Sequence, residues 1–356
     1  MDKYLNKLNF DFHTNQLIIK SISFIDSFKG KWNVVESKEN IFLKELRKIA
    51  TIESIGSSTR IEGAQLTNEE IKQLLDNVKI TELKSRDEQE VVGYYDVLEI
   101  INENYDNISI SKNYIQQLHQ NLLKYSTKDD RHRGIYKNLS NKVVAKYPDG
   151  TQRVIFDTTE PHLVESETNY LFEWINEQFN SKSLHPLIVI GLFIYEFLSI
   201  HPFHDGNGRL SRLLTNLLLL KNDYVFIKYV SFENLIEQKK KTYYEALMDG
   251  QKDRNSEKER VDKWMLFFLQ SLEALIHRLE QKYDVFKTKG GYLNERQKKI
   301  KEFITINQPI KLSDLMNSMP DISINTLKKD LQYMKNEQII LSIGKNKGTI
   351  YVLNDN

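Results

Sequence analysis

The sequence predicts a mainly α-helical protein with one β-hairpin set into its helical core and a small unit of three helices and a second hairpin at its end. Three observations predict this. Apolar residues recur at helical spacing through most of the 356 residues. The helical pattern gives way to alternation around Val143 to Lys146, in an internal stretch near 143–155. A polar, glycine-bearing segment, Lys287-Thr288-Lys289-Gly290-Gly291, separates off the C-terminal unit.

In chain order, Leu43, Leu46, Ile49 and Ala50 form one stripe, and Ile71, Leu74, Leu75 and Val78 another. Tyr114, Ile115, Leu118, Leu122 and Leu123 form a third, with Ser111 placed to cap its start. Val143 to Lys146, then Tyr147-Pro148-Asp149-Gly150, then Arg153 to Ile155 read as a β-hairpin with a Pro-Asp-Gly turn. Helices resume over Pro161 to Phe179, Pro186 to Ile200 and about Gly208 to Leu220, followed by Phe232 to Asp249 and Lys258 to Lys282. After the linker, Glu295 to Ile304, Leu312 to Met319 and Ser323 to Asn336 are helical, the last with Ile324, Leu327, Leu331 and Met334 on one face. Strands Ile339 to Ile343 and Thr349 to Leu353 flank Gly344-Lys345-Asn346-Lys347-Gly348. Three helices and a hairpin in this order resemble a winged helix-turn-helix.

Composition narrows the function. Hydrophobic residues make up 40% and charged residues 28%, ordinary for a folded globular chain. A net charge of +1 excludes bulk attraction to nucleic acid or anionic membrane, so such contacts must be local. The absence of cysteine excludes disulfides, thiolate metal sites and cysteine nucleophiles, and suits a cytoplasmic setting. The most apolar stretch, Leu187 to Ile200, contains Glu196 and falls short of the about 20 residues a bilayer requires.

The chemistry gathers in His201-Pro202-Phe203-His204-Asp205-Gly206-Asn207-Gly208-Arg209-Leu210-Ser211-Arg212. His201 ends an apolar helix, where a neutral imidazole can accept a proton from a hydroxyl. Asp205, four residues on, is a carboxylate of the kind that carries Mg²⁺ beside phosphate oxygens. Gly206-Asn207-Gly208 lets successive N–H groups converge on an anion at the start of a helix, where the helix dipole adds to them. Arg209 and Arg212, three apart, share a helix face and can both reach phosphates. Taken alone, each of these has a bland structural role; together they read as a metal-assisted phosphoryl or nucleotidyl transfer site.

This segment resembles, at every position, the HPFx(D/E)GNGRxxR signature of the Fic family. The resemblance implies a Fic-type helical core and transfer of AMP from ATP to a hydroxyl side chain of a target protein, with Mg²⁺ and self-modification as further expectations. It implies His201 as general base, Asp205 as metal ligand, the amides of Gly206, Asn207 and Gly208 as anion hole, Arg209 on the phosphates and Arg212 on the γ-phosphate. Arg133-Gly134-Ile135-Tyr136 resembles the family's lead-in, and about 143–155 its flap, whose edge would align a target segment by strand addition. Tyr243 and Tyr244 resemble the pair found near the adenine. Lys239-Lys240 stands where many relatives carry Asn-Arg, a departure that bears on the nucleotide-base contacts, and Lys239-Lys240-Lys241 reads as a solvated helix face.

Ser58-Thr59-Arg60-Ile61-Glu62-Gly63 resembles the family's inhibitory pattern, (S/T)xxxE(G/N). It implies a helix over about 52–66 whose Glu62 pairs with Arg212, so that Ser58, Glu62 and Gly63 hold a brake and basal activity is low. The same glutamate positions a water that removes AMP in some relatives, which keeps de-AMPylation or transfer of another phosphate group open as alternatives. Two other classes remain: a metal phosphohydrolase built on His204 and Asp205, and a DNA-binding regulator with a nucleotide-sensing core. The expected organisation is an N-terminal helical region over 1–110, a catalytic core over 111–285 and a winged-helix domain over 291–356. Lys328, Lys329, Lys345 and Lys347 suit phosphate contacts there, but Asp330 and Glu337 stand close by, so protein docking is favoured over DNA. A target protein is the expected partner, a homodimer an open one, and no membrane is expected.

Overall fold

The computed structural model describes residues 3–37, 41–77, 82–146, 151–288, 293, 295–336, 339–344 and 348–354. Its helices are α1 (Phe12–Glu36), α2 (Ile41–Glu62), α3 (Asn68–Asn77), α4 (Arg86–Asn104), α5 (Lys112–Leu122), α6 (Pro161–Ser181), α7 (Pro186–Ile200), α8 (Asn207–Lys221), α9 (Phe232–Gln238), α10 (Lys240–Gln251), α11 (Asp262–Thr288), α12 (Glu295–Asn307), α13 (Leu312–Ser318) and α14 (Ile324–Asn336). Strands β1 (Lys142–Lys146) and β2 (Gln152–Asp157) precede α6, while β3 (Ile310–Lys311), β4 (Ile340–Ile343) and β5 (Ile350–Leu353) lie among the last helices. Met1–Leu279 forms one compact unit and Glu280–Asn356 a second.

The centre of the first unit is α7, in which every residue from Leu187 to Ile200 is buried. It packs against α6 and α8, and α8 buries Leu210, Leu213, Leu214 and Leu217. A helix apolar on all sides is stable only when surrounded. Its one charged residue, Glu196, is fully buried and held by Lys7 Nζ at 2.5 Å and Arg254 Nη1 at 2.8 Å. Buried charges persist only when paired in this way. The pair therefore ties the N-terminal segment and the approach to α11 onto the helix that carries His201. Among the described residues no helix is long and apolar enough to cross a membrane.

Several expectations change. α1 and α4 fall outside the periodic stretches read from the sequence. α1 buries Ile18, Ile25, Phe28 and Trp32 but exposes Phe12, Ile19 and Val34, so its stripe is blurred. α4 buries Val91, Val92, Tyr94, Val97 and Leu98, more than one face, so it has no single stripe to read. Ser111 stands at the N-cap of α5 without making a side-chain cap bond. The expected helix over Phe232 to Asp249 breaks at Lys239, whose backbone (φ −107°, ψ 27°) is not helical, giving α9 and α10. α2 is longer than expected at its start and stops at Glu62, short of residue 66.

The hairpin is antiparallel, pairing Lys142 with Asp157 and Lys146 with Gln152, with a register shift between Val143 and Val144. Ile155 and Phe156 face inward while Gln152, Arg153 and Val154 are exposed. The expected Tyr147-Pro148-Asp149-Gly150 turn lies outside the described residues.

The second unit buries Ile300, Ile304, Ile310, Leu315, Leu327, Leu331, Met334 and Ile340 in one core. Its sheet has the order β3-β5-β4, both pairs antiparallel, so β3 adds a strand the sequence reading lacks. Asp330 is buried and paired with Arg296 and Gln297, so it does not oppose an anion at the surface. Ile324 is 39% exposed, outside the core stripe expected for it. Lys328 and Lys329 are exposed; Lys345, Lys347, Glu337 and most of the expected linker lie outside the described residues.

Candidate active site

α7 ends at His201, which adopts left-handed backbone (φ 53°, ψ 60°) and turns the chain into the loop before α8. Its Nδ1 lies 3.2 Å from the carbonyl of Leu198. A carbonyl only accepts, so Nδ1 carries the proton and Nε2 keeps its lone pair. Burial pushes the imidazole pKa down to about 4, with the nearby Lys137 ammonium acting in the same direction. His201 is therefore neutral at neutral pH, the state a general base requires.

The loop is braced from inside. Asn207 accepts from the Phe203 N–H at 2.9 Å and donates back to the Phe203 carbonyl at 2.7 Å, so its side chain locks the turn. Gly206 sits at φ 80°, a conformation that suits glycine, and caps α8. From α5, the buried His119 accepts the Gly134 N–H on Nδ1 at 2.9 Å and places Nε2 2.9 Å from the Asp205 carbonyl. Its ring stacks on Phe203 at 3.7 Å. His119 thus fastens the lead-in and the loop to one helix.

Asp205 and Arg209 belong to a closed ring of alternating charges. Arg86 Nη2 donates to Asp205 Oδ2 at 3.1 Å and Arg209 Nη2 to Asp205 Oδ1 at 3.0 Å. Arg209 Nη1 lies 3.3 Å from Glu90 Oε2, and Arg86 Nε donates to Glu90 Oε1 at 2.7 Å. Burial alone would raise the Asp205 carboxyl, but Arg209, the Gly206 amide and Arg86 hold it below the usual carboxylate range. The sequence reading set Arg209 among the phosphate ligands. The structure turns it inward, 1% exposed, onto Glu90 and Asp205. Glu90 and Arg86 lie far from the motif in sequence, and no local pattern marks them.

Arg212, three residues further along α8, is 3% exposed and points the other way, into the site. Its Nε donates to Ser58 Oγ at 2.8 Å, and its Nη2 to the Ser58 carbonyl at 3.0 Å and to Glu62 Oε1 at 2.8 Å. The spacing of Ser58 and Glu62, one helical turn, puts both on the face of α2 that meets α8. Burial acts to raise the Glu62 carboxyl, and Arg212, with Arg209 behind it, outweighs that and lowers it. Glu62 Oε1 also occupies the place a Cβ on Gly208 would take, so the carboxylate rests directly over the start of α8. That is where a helix N-terminus attracts an anion.

Local backbone chemistry aims Glu62. Gly63 (φ 110°) donates to Arg60 O at 3.0 Å and Ala64 to Thr59 O at 3.1 Å, a Schellman-type stop that makes Glu62 the helix cap. A carboxylate at a helix C-terminus opposes the helix dipole, so its position depends on outside partners. Arg60 makes two bonds to Glu237 on α9, at 2.8 and 3.1 Å, and Lys240 donates to the Ile61 carbonyl at 2.9 Å. Lys240 is thus a fastener of α2, whereas Lys239 and Lys241 are exposed as expected.

His201, Asp205, Gly206, Asn207, Gly208, Arg212, Glu62, Tyr243 and Tyr244 line one cavity of ≈ 180 Å³, with Lys142, Val144 and Phe156 of the hairpin across from them. The tyrosine rings, 5.2 Å apart, form its wall on α10. A larger cleft of ≈ 800 Å³ beside Arg153, Lys239 and Lys263 contains none of the motif residues. Among the described residues no three His, Asp or Glu side chains gather into a metal-binding group. Asp205 lines the smaller cavity and is one carboxylate of the kind Mg²⁺ takes beside phosphate oxygens and water, with both of its oxygens here held by arginines.

Residues 109–219 match the sequence profile of the Fic/DOC family. The chain is 30% identical over 207 residues to the protein adenylyltransferase Fic of Drosophila melanogaster, covering 58% of this chain and 39% of that protein. The chain thus spans well under half the length of such relatives. A crystal structure of a Fic family protein from Desulfovibrio desulfuricans G20 aligns over 96% of both chains with a TM-score of 0.65 at 19% identity. A Fic domain containing signaling protein from Bacteroides thetaiotaomicron aligns over 76% of this chain and 99% of that one, with a TM-score of 0.59 at 22% identity. The fold agrees with the profile, and residues 109–219, with the motif inside them, match the Fic/DOC family.

Proposed function

We propose that the chain is a self-inhibited protein adenylyltransferase that transfers AMP from ATP to a hydroxyl side chain of a target protein. The observation that carries this reading is the single cavity in which the free Nε2 of His201, the Asp205 carboxylate, the start of α8 and Arg212 meet, with Glu62 seated on Arg212. In the reaction, His201 Nε2 takes the proton of the target hydroxyl as its oxygen attacks the α-phosphorus. The bond to the bridging oxygen of pyrophosphate breaks, and pyrophosphate leaves. The amides at the start of α8 hold the developing charge, and Arg212 receives the γ-phosphate. Asp205 is the residue that would hold Mg²⁺, which when bound neutralises charge on the phosphates. Tyr243 and Tyr244 flank the base.

Inhibition rests on occupancy. Arg212 can bond the Glu62 carboxylate or a γ-phosphate, not both at full strength. The cavity is also smaller than the roughly 300–1,000 Å³ of small-molecule sites, so Glu62 must withdraw or the hairpin open for ATP to react. Incubating the Glu62→Gly protein with labelled ATP and reading the mass added to itself and to lysate proteins tests the reaction. An AMP adduct supports it; a phosphate adduct replaces it with phosphoryl transfer.

Loosening the fasteners of α2 should act in the same direction as removing Glu62, but more weakly. The Arg60–Glu237 pair is partly exposed, and such pairs are worth about 0.2–1 kcal/mol. Glu237→Ala is therefore expected to raise basal self-modification by at most about fivefold, measured as initial rate with labelled ATP. The C-terminal unit we read as a winged-helix docking module for protein. A salt-dependent mobility shift of the full chain on random duplex DNA, lost in the Lys328→Ala, Lys329→Ala variant, would turn that reading to DNA.

A further inference from the structure

Lys137 is 3% exposed, yet none of its partners is a carboxylate. Its ammonium has three N–H donors, and all three are used: on Asn141 Oδ1 at 2.8 Å, Thr158 Oγ1 at 2.6 Å and the Ile200 carbonyl at 3.2 Å. These acceptors have a common logic. Asn141 immediately precedes β1 and Thr158 immediately follows β2, so they are the two feet of the hairpin. Ile200 is the last residue of α7, directly before His201. The backbone of Lys137 is fixed as well, its N–H donating to the Pro202 carbonyl at 2.8 Å. Burying a lysine ammonium with no carboxylate bonded to it is costly, and burial pushes the Lys137 pKa down to about 8, with the more distant Glu160 carboxylate opposing it. A methionine of similar shape would avoid that cost, so packing alone does not account for the charge.

We propose that Lys137 is a positioning residue that locks both feet of the β1–β2 hairpin to the end of α7 that carries His201. The hairpin forms the wall opposite the motif, so this lock sets the distance between whatever the hairpin presents and Nε2 of the base. The same ammonium helps keep His201 neutral. The groups around His201 are Lys137 and Lys142 from the hairpin side, Glu62 from α2, His204, Asp205 and Arg212 from the motif, and Tyr243 and Tyr244 from α10. Burial has the larger depressing effect on the ring and Lys137 the next, while Glu62 and Asp205 oppose them. The transfer chemistry rests on the function proposed above; the lock itself does not.

The test uses Lys137→Met and Lys137→Arg in the full chain, with and without Glu62→Gly. In Lys137→Met, titration of His201 by NMR of ring-labelled histidine should move up, since one of the two depressing influences on the ring is gone. Hydrogen exchange in 142–146 and 152–157 should quicken. Lys137→Arg keeps the charge and should leave the His201 titration low while still loosening the hairpin. In the Glu62→Gly background, Lys137→Met should lower kcat roughly 10- to 100-fold with the KM for ATP little changed. Thr158→Val removes the Thr158 hydroxyl's bond to Lys137 and its own bonds to Asn141 without touching the charge, so it should quicken hairpin exchange, at least as much as Lys137→Met, and leave His201 alone; it also serves if Lys137→Met does not fold. Unchanged hairpin exchange in Thr158→Val, or unchanged exchange and His201 titration in folded Lys137→Met, overturns the proposal. Titration and exchange are read without nucleotide, so absence of AMP transfer in the Glu62→Gly parent counts against the proposed function and leaves the lock standing.

Discussion

With Glu62 replaced by glycine, a second substitution of His201 by alanine is expected to lower AMP transfer on the order of 10²- to 10⁴-fold, the usual worth of a general base. ATP binding should survive, because the anion-binding amides and Arg212 belong to α8 and not to the base. The pH dependence follows from the same geometry. Burial and Lys137 lower the His201 pKa to about 4 from an ordinary 6.5. The ring is thus protonated, and useless as a base, only when pH falls through that lower value. The acid limb of kcat/KM, which reports the free enzyme, should have its midpoint well below 6.5. An alanine variant as active as its parent removes His201 from the mechanism, and an acid limb at or above 6.5 removes the buried neutral ring from it.

Glu62→Gly alone is expected to raise self-modification by on the order of ten- to a hundredfold. A hydrogen bond to a charged group is worth about 1.5–3 kcal/mol, and each 1.4 kcal/mol is about tenfold. Glu62 is 37% exposed along its side chain, which places the expectation toward the lower end. Glycine at the C-cap costs α2 little, since the helix already ends there. The comparison to make is the initial rate of labelling in the two proteins at saturating ATP and equal Mg²⁺. Equal rates mean that Glu62 is no brake in this chain, even though it sits on Arg212.

The two predictions differ in how far the sequence anticipated their physics. His201 to Arg212 is a contiguous segment, so spacing alone carries most of its geometry: a helix end, a turn, and a helix start. Ser58 and Glu62 are one turn apart on a helix, which is also legible. Their meeting with Arg212 came only through a family resemblance, since nothing local says which helices pack together. Arg209 shows the limit. Its spacing to Arg212 suggested two arginines on one ligand; in this structure Arg209 is paired with Glu90 and Asp205, and among the described residues Arg212 is the arginine that lines the cavity. Lys240, expected in solvent, caps the carbonyl end of α2 instead.

The sequence by itself determined the helical class, the internal hairpin, the glycine turn before α8 and the candidate base, because each depends on residues adjacent in the chain. Only the tertiary structure decided which charges are spent on scaffolding and which remain for a ligand. Lys7 and Arg254 go to Glu196, Arg86 and Arg209 to Asp205 and Glu90, Lys137 to the feet of the hairpin, and Arg212 to Ser58 and Glu62. The reason is physical: a buried charge is stable only against partners that satisfy it, and those partners are brought from distant helices by packing that no short stretch of sequence encodes.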